Sequence, residues 1–142
     1  IQNQGTFNQG FMTTELFAAA LLDMELHNLT DTENLNVVAF EKETMDKLGL
    51  IPEIAPRYRA TYFSHIIGGY AAGYYSYLWA EVLDTDAFEA FKEHGVFDKN
   101  TADSFRKNIL EKGGTEDPMT LYRGFRGADP SLEPLLKNRG LK

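Results

Sequence analysis

A histidine, a pair of glycines and a row of tyrosines occur together in FSHIIGGYAAGYYSYLW, residues 63–79. Tyr70, Tyr74 and Tyr77 are spaced at 0, +4 and +7, so a helix that has begun by Tyr70 would carry all three on one face. A phenol hydroxyl donates a hydrogen bond, and its pKa of about 10 keeps it neutral at pH 7. The row predicts donors for peptide carbonyls, or for the oxyanion formed when a peptide bond is attacked.

The residues before this row could act on the same ligand. Gly68 and Gly69 let the backbone bend and approach a ligand closely. His65, on the other side of the glycines, could donate to that ligand or accept from it. The competing interpretation is packing, because an aromatic stripe at helical spacing belongs to a core more often than to a site.

The elements that must position these residues are helices, and strand signals are almost absent. FMTTELFAAALLDMEL, residues 11–26, is apolar nearly all round and should be buried on most faces. Gly49 and Pro52 end a second helix, and two prolines make residues 51–63 irregular. Shorter helices follow in DTDAFEAFKEHG, opened by Asp84 or Thr85, and in DKNTADSFRKNILEKGG and EDPMTLYRGFRG. We expect an all-α irregular bundle of about six helices, with residues 1–142 forming one segment without an internal boundary.

Composition narrows the function classes. The chain of 142 residues carries 21 acidic and 14 basic residues, a net charge of −7, which argues against a nucleic-acid footprint. No apolar run approaches the roughly 20 residues that a membrane span needs. The absence of Cys excludes disulfides and thiolate zinc sites, and it is compatible with a reducing compartment.

Other polar residues are weaker candidates for a site. His27 and His94 each lie near a predicted helix end, where a histidine is expected to interact with the last carbonyls rather than with a metal. Arg57 and Arg59 could each bind a carboxylate bidentately, although a solvated or salt-bridged arginine is favoured. Three acidic residues near the long helix form no His-Glu-x-x-His metal motif. They are Glu15, Asp23 and Glu25.

The stretch FSHIIGGYAAGYYSYLWAEVLDTDAFEAF closely resembles the C-terminal part of the thimet-oligopeptidase family (M3) of zinc metallopeptidases. The resemblance covers nearly the whole chain, through FNQGFMTTELFAAALLDMELH, NVVAFEKETMDKLGLIPEIAPRYRATYFSHI, FDKNTADSFRKNILEKGG and YRGFRGADP in the family's order. Within the family it is most similar to bacterial peptidyl-dipeptidases, and next to oligopeptidases. This implies a C-terminal segment of a larger α-helical catalytic domain, from a cytoplasmic or alternatively a periplasmic enzyme.

The resemblance also implies roles for the residues of the row. Tyr77 would stabilise the oxyanion as a catalytic residue, helped by His65. The glycines would let the loop close over the peptide. The substrate-binding residues implied in this way are Tyr70, Tyr74, Gly68 and Gly69.

One departure from the family concerns its zinc motif, His-Glu-x-x-His, which is missing. The three histidines read LHNL, SHII and EHGV. We therefore expect the zinc cofactor of the parent enzyme to be liganded outside this chain, and the isolated chain to hold no zinc and to be inactive. The implied partners are an oligopeptide substrate, cleaved with release of C-terminal dipeptides, and the upstream remainder of the same protein.

Two other interpretations of the sequence stay open. The tyrosine face of a non-enzymatic all-α module could bind a peptide or a partner helix without chemistry. Alternatively, the chain is an inert core fragment. For a segment of a larger catalytic domain, the apolar helix at residues 11–26 predicts self-association, because the segment would expose surface that its neighbours cover.

Overall fold

A computed structural model describes the backbone of residues 2–142 and the side chains from Gln4 onward. Every regular element in that range is helical, so the all-α prediction is confirmed. The chain divides after Tyr77 into two compact units. The absence of an internal domain boundary stays a prediction.

The first unit contains helices α1 (Gln2–Thr6), α2 (Gln9–His27) and α3 (Val37–Lys47). The long helix predicted over residues 11–26 is present as α2, which packs against α3. The expectation that it is buried on most faces is wrong for this unit. Ala18, Ala19 and Leu22 are buried, whereas an apolar stripe of Phe17, Leu21 and Met24 is exposed.

The irregular segment after α3 is tied back to that helix by a buried carboxylate. Asn36 caps α3 by accepting from the backbone N–H of Ala39, and α3 ends before Gly49 as predicted. The carboxylate of Glu41 accepts from the Arg59 guanidinium at 2.6 Å and from the backbone N–H of Ala60 at 2.8 Å. These bonds anchor the two 3₁₀ turns that follow, Ala60–Tyr62 and Ser64–Ile67.

The tyrosine row does not lie on one helix, because no helix has begun by Tyr70. Residues 68–75 form turns, and α4 (Ser76–His94) begins only after Tyr74. The predicted start of a separate helix at Asp84 or Thr85 is wrong. The Thr85 hydroxyl donates to the carbonyls of Glu81 and Val82, at 2.6 and 3.2 Å, so this polar group is satisfied within a continuous helix.

The second unit contains most of α4 followed by three shorter helices. These are α5 (Lys99–Phe105), which continues as a π-helical turn over Arg106–Leu110, α6 (Pro118–Arg126) and α7 (Glu133–Asn138). The predicted cap of α6 is confirmed, because the Asp117 carboxylate accepts from the backbone N–H of Thr120. No helix within residues 2–142 has the length and apolar character of a membrane span.

Candidate functional site

Six aromatic rings of the first unit form a cluster, which we call the ring cluster. Three come from the segment 58–65, two from the turn that follows it and one from the first turn of α4. Its members are Tyr58, Phe63, His65, Tyr70, Tyr74 and Tyr77. The structure therefore brings together all four aromatic residues that the sequence singled out, and it adds two.

The distances between the rings show how the turn compensates for the missing helix. The rings of Tyr70 and Tyr77 are stacked with centroids 5.2 Å apart, and Tyr74 meets Tyr77 edge-on at 5.0 Å. The His65 ring lies 5.4 Å from that of Tyr74, and 6.2 and 6.3 Å from those of Tyr70 and Tyr77. These spacings are typical of attractive aromatic contacts.

Exposure separates the three tyrosines into two kinds. Tyr70 and Tyr77 are 42% and 39% exposed, whereas Tyr74 is only 4% exposed. The Tyr74 ring packs edge-on against Phe63, which is fully buried, at 4.9 Å. Burial is the main reason that the pKa of Tyr74 is raised. In this conformation Tyr74 packs the floor of the ring cluster, and its direct contact with substrate stays a prediction.

The hydroxyls of Tyr70 and Tyr77 interact with each other. A hydrogen bond with Tyr70, followed by partial burial, raises the pKa of Tyr77 above its usual value near 10. A raised phenol pKa keeps the proton on the oxygen at neutral pH. Tyr77 is thus a neutral donor at the exposed edge of the cluster, and its partner Tyr70 is a group that a ligand oxygen can replace.

One polar atom inside the ring cluster has no partner. Nδ1 of His65 is buried and makes no hydrogen bond to any described residue. A buried polar atom left unpaired costs free energy, and unpaired atoms of this kind are rare in native proteins. A ligand or another part of a longer protein that reaches this nitrogen would remove that cost.

The two predicted glycines lie at the edge of the ring cluster and are exposed. A Cβ added at Gly69 would meet nothing within 4 Å, and one at Gly68 would only reach the Ser64 carbonyl oxygen at 4.0 Å. Crowding within the chain therefore does not require glycine here. A shallow cavity of about 500 Å³ beside Gly68 leaves room for a ligand side chain. Closure of the glycines over a peptide stays a prediction.

The two arginines near the cluster differ in their partners. Arg59 is paired with the Glu41 carboxylate, as the salt-bridged alternative predicts. The Arg57 guanidinium lies 5.8 Å from the centre of the Tyr58 ring, and among the described residues no carboxylate pairs with it. The positive charge of Arg57 acts to lower the pKa of Tyr74, against the larger effect of burial. Arg57 is therefore a cation beside the cluster that can receive a carboxylate.

The described residues do not form a zinc site. No group of three or more His, Asp or Glu side chains that could hold a metal lies together in residues 2–142. His27 and His94 each interact through Nδ1 with the carbonyl four residues earlier, both at 2.9 Å, as the sequence predicts for helix ends.

The second unit contains a larger cavity that includes none of the predicted site residues. It has a volume of about 770 Å³ and is lined mainly by apolar side chains of α4, the π-helical turn and α6, among them Phe88, Ile109 and Met119. Asp84 is its acidic lining residue, and burial raises the pKa of that carboxyl. The cavity lacks the convergent polar groups of a reactive site.

Comparisons with known proteins match nearly the whole chain. The profile of peptidase family M3 matches residues 1–141. Dipeptidyl carboxypeptidase of Escherichia coli (strain K12) is 43% identical over 148 aligned positions, which cover 99% of this chain and 21% of that protein. Oligopeptidase A of Haemophilus influenzae is 43% identical over 85% of this chain and 18% of its own length. A probable cytosolic oligopeptidase A of Arabidopsis thaliana is 40% identical over 96% of this chain and 20% of its own. The chain thus spans about a fifth of the length of these relatives.

Proposed function

The chain belongs to peptidase family M3, and we propose that it supplies the substrate-binding and oxyanion-stabilising part of a longer metallopeptidase that cleaves oligopeptides. The observation that supports this proposal most directly is the exposed hydroxyl pair of Tyr70 and Tyr77 beside the unpaired Nδ1 of His65. These are three hydrogen-bonding groups held at fixed spacing by a packed set of rings. A peptide backbone carries the complementary carbonyl oxygens and amides.

In this proposal, Tyr77 acts on the carbonyl oxygen of the scissile bond. As that oxygen becomes negatively charged, the Tyr77 hydroxyl turns from Tyr70 and donates to it. The donor is already neutral, and the surrounding rings fix its position, so little reorganisation is needed when charge develops. Tyr70 then remains free to donate to a neighbouring backbone carbonyl, and Nδ1 of His65 forms a hydrogen bond with the same ligand.

Release of C-terminal dipeptides is the finer part of the proposal. The names of the bacterial relatives include a dipeptidyl carboxypeptidase, and such an enzyme must bind the terminal carboxylate of its substrate. Arg57 suits that task because it lies beside the ring cluster without a carboxylate partner. A guanidinium binds a carboxylate in a planar, bidentate geometry, which adds orientation to affinity.

The zinc and the cytoplasmic location implied by the resemblance also belong to this proposal, with a periplasmic location as the alternative. The residues described here provide neither a metal site nor an activated nucleophile. Both would have to come from the remainder of the longer protein. The steps assigned to this chain are confined to binding the peptide and donating hydrogen bonds.

The proposal is tested by titrating the chain with an uncleaved oligopeptide while NMR follows ring signals. We expect the signals of His65, Tyr70 and Tyr77 to move together, and the exposed Tyr75, outside the ring cluster, to stay unchanged. Absence of any change at saturating peptide would contradict the proposal. A non-enzymatic binding module would show the same shifts. A peptide-turnover assay of the full-length protein distinguishes the two functions.

A further inference from the structure

A buried carboxylate in α2 contacts the turn that carries the tyrosines. Asp23 is completely buried, although it lies on an Ala- and Leu-rich helix. Its Oδ1 accepts from the backbone N–H of Ala72 at 3.0 Å, and its Oδ2 accepts from the backbone N–H of Tyr74 at 2.9 Å. One side chain therefore binds two amides of a segment about fifty residues away in sequence.

The carboxylate has a further partner on its own helix. Nδ1 of His27 lies 2.8 Å from Oδ1 of Asp23 and 2.9 Å from the Asp23 carbonyl oxygen. Neither oxygen can donate, so Nδ1 carries the proton and donates to both. No described lysine or arginine pairs with Asp23. The buried charge is thus held by two backbone amides and one imidazole, a set of donors that fixes its orientation.

The bend that receives these bonds is one that the chain would not adopt freely. Ala72 has a φ of 52°, in the left-handed region that non-glycine residues seldom occupy. An unfavourable bend persists when its surroundings determine it, and the two bonds to Asp23 lie at this position.

We propose that Asp23 is a positioning residue for the tyrosines, with His27 as its support. By fixing the amides of Ala72 and Tyr74, it directs the Tyr74 ring into the cluster. It also holds the bend so that Tyr70 and Tyr77, one on each side of it, stack against each other. No helix holds Tyr70 and Tyr74 in place, because α4 begins at Ser76. The consequence for turnover rests on the proposed function, whereas the consequence for the turn does not.

The test compares two variants of the chain by residue-resolved amide exchange. Asp23→Asn keeps the size but offers an NH₂ group to one of the two amide donors, so that amide loses its acceptor. Glu25→Gln makes the same chemical change at an exposed site on α2 and serves as the matched control. We expect Asp23→Asn to lower protection of at least one of the Ala72 and Tyr74 amides by about tenfold or more relative to the α2 amides, and Glu25→Gln to change none of them.

Two results would overturn the inference. One is unchanged protection at Ala72 and Tyr74, and the other is an equal loss across α2, which would mean that Asp23 only stabilises the fold. If Asp23→Asn does not fold, His27→Gln answers the same question. It removes one donor and leaves the carboxylate, so the two amides should lose protection selectively and by a smaller factor, and unchanged exchange in that variant would also overturn the inference.

The effect on catalysis is read from a double-mutant cycle in the full-length protein. If Asp23 acts through Tyr77, Asp23→Asn should lower kcat more than it changes KM, and it should add little once Tyr77→Phe is present. Fully additive losses would refute the coupling. Should Tyr77→Phe alone leave turnover normal, the proposed function fails, while the amide-exchange result on Asp23 stands by itself.

Discussion

The rings of Tyr70 and Tyr77 stack with centroids 5.2 Å apart, although a turn and not a helix joins them. Both side chains are partly exposed, and the interaction with the Tyr70 hydroxyl is the main reason that the pKa of Tyr77 is raised. The pair thus presents two donors at one edge of a packed cluster. Which hydroxyl acts on the reacting carbonyl is a question that single-atom substitutions can answer.

Tyr77→Phe in the full-length protein should lower kcat by about 10²–10³ and leave KM nearly unchanged, because the lost donor acts mainly on the charged transition state. Steady-state kinetics measure both constants. Tyr75→Phe is the control, since Tyr75 is exposed and outside the ring cluster, and it should keep normal kinetics. A near-normal kcat for Tyr77→Phe would assign the tyrosines to packing alone.

The comparison of sequence and structure shows which features local chemistry determines. The cap at Asp117 and the ending of α3 before Gly49 were predictable because they depend on neighbours within a few residues. The start of α4 was missed because Ala72 and Gly73 adopt a bend that only the tertiary contact with Asp23 explains. Helix periodicity still placed the tyrosines together, for the wrong reason.

The missed members of the site had weaker signals. Asp23 directly follows the apolar run of residues 17–22, and a charge at such a position is a sign of a buried, hydrogen-bonded carboxylate. Tyr58 and Phe63 lie in a proline-rich segment without periodicity. Their contact with Tyr74 depends on the anchoring of that segment by Glu41.

The isolated chain should bind no zinc tightly and cleave no peptide, because its described residues offer no group of three ligands. Metal analysis after dialysis, with a peptide-cleavage assay on the same sample, checks both statements. One retained zinc per chain, together with hydrolysis that a chelator stops, would contradict the prediction that the metal is liganded elsewhere.

The isolated chain should self-associate through the exposed stripe of α2, formed by Phe17, Leu21 and Met24. Contiguous exposed apolar surface drives association when nothing covers it. Sedimentation analysis over a range of concentrations should show dimers or larger species, and Leu21→Glu should shift the chain to monomer. Val38→Glu changes an exposed apolar residue on α3 and should not have this effect. A monomer at all concentrations would refute the prediction.

Arg57→Ala in the full-length protein should raise KM for peptides with a free C-terminus and have little effect on the corresponding C-terminal amides. Loss of a charge-assisted hydrogen bond of this kind costs about 1.5–3 kcal/mol, or roughly a factor of 10 to 150. Arg57→Lys keeps the charge without the planar fork and should recover part of the affinity. Equal effects on the acid and the amide would show that Arg57 does not bind the terminal carboxylate.

Tyr122→Phe should lower the stability of the second unit and flatten its loss at high pH. The Tyr122 hydroxyl donates to the buried Asp86 carboxylate at 2.5 Å, and burial followed by this bond raises the pKa of the phenol. The folded chain therefore holds the phenol proton more tightly than the unfolded chain, whose tyrosines titrate near 10. This contribution to the free energy of unfolding is complete below about pH 10 and is lost as the pH rises towards the folded pKa.

The variant Tyr122→Phe leaves Asp86 short of one donor, so at neutral pH its free energy of unfolding should fall by about 1–3 kcal/mol. Chemical unfolding at about pH 7 and about pH 11, with the exposed Tyr75→Phe as control, should show the difference between variant and parent chain shrinking at the higher pH. A difference that is the same at both values would mean that this bond does not couple stability to the phenol proton.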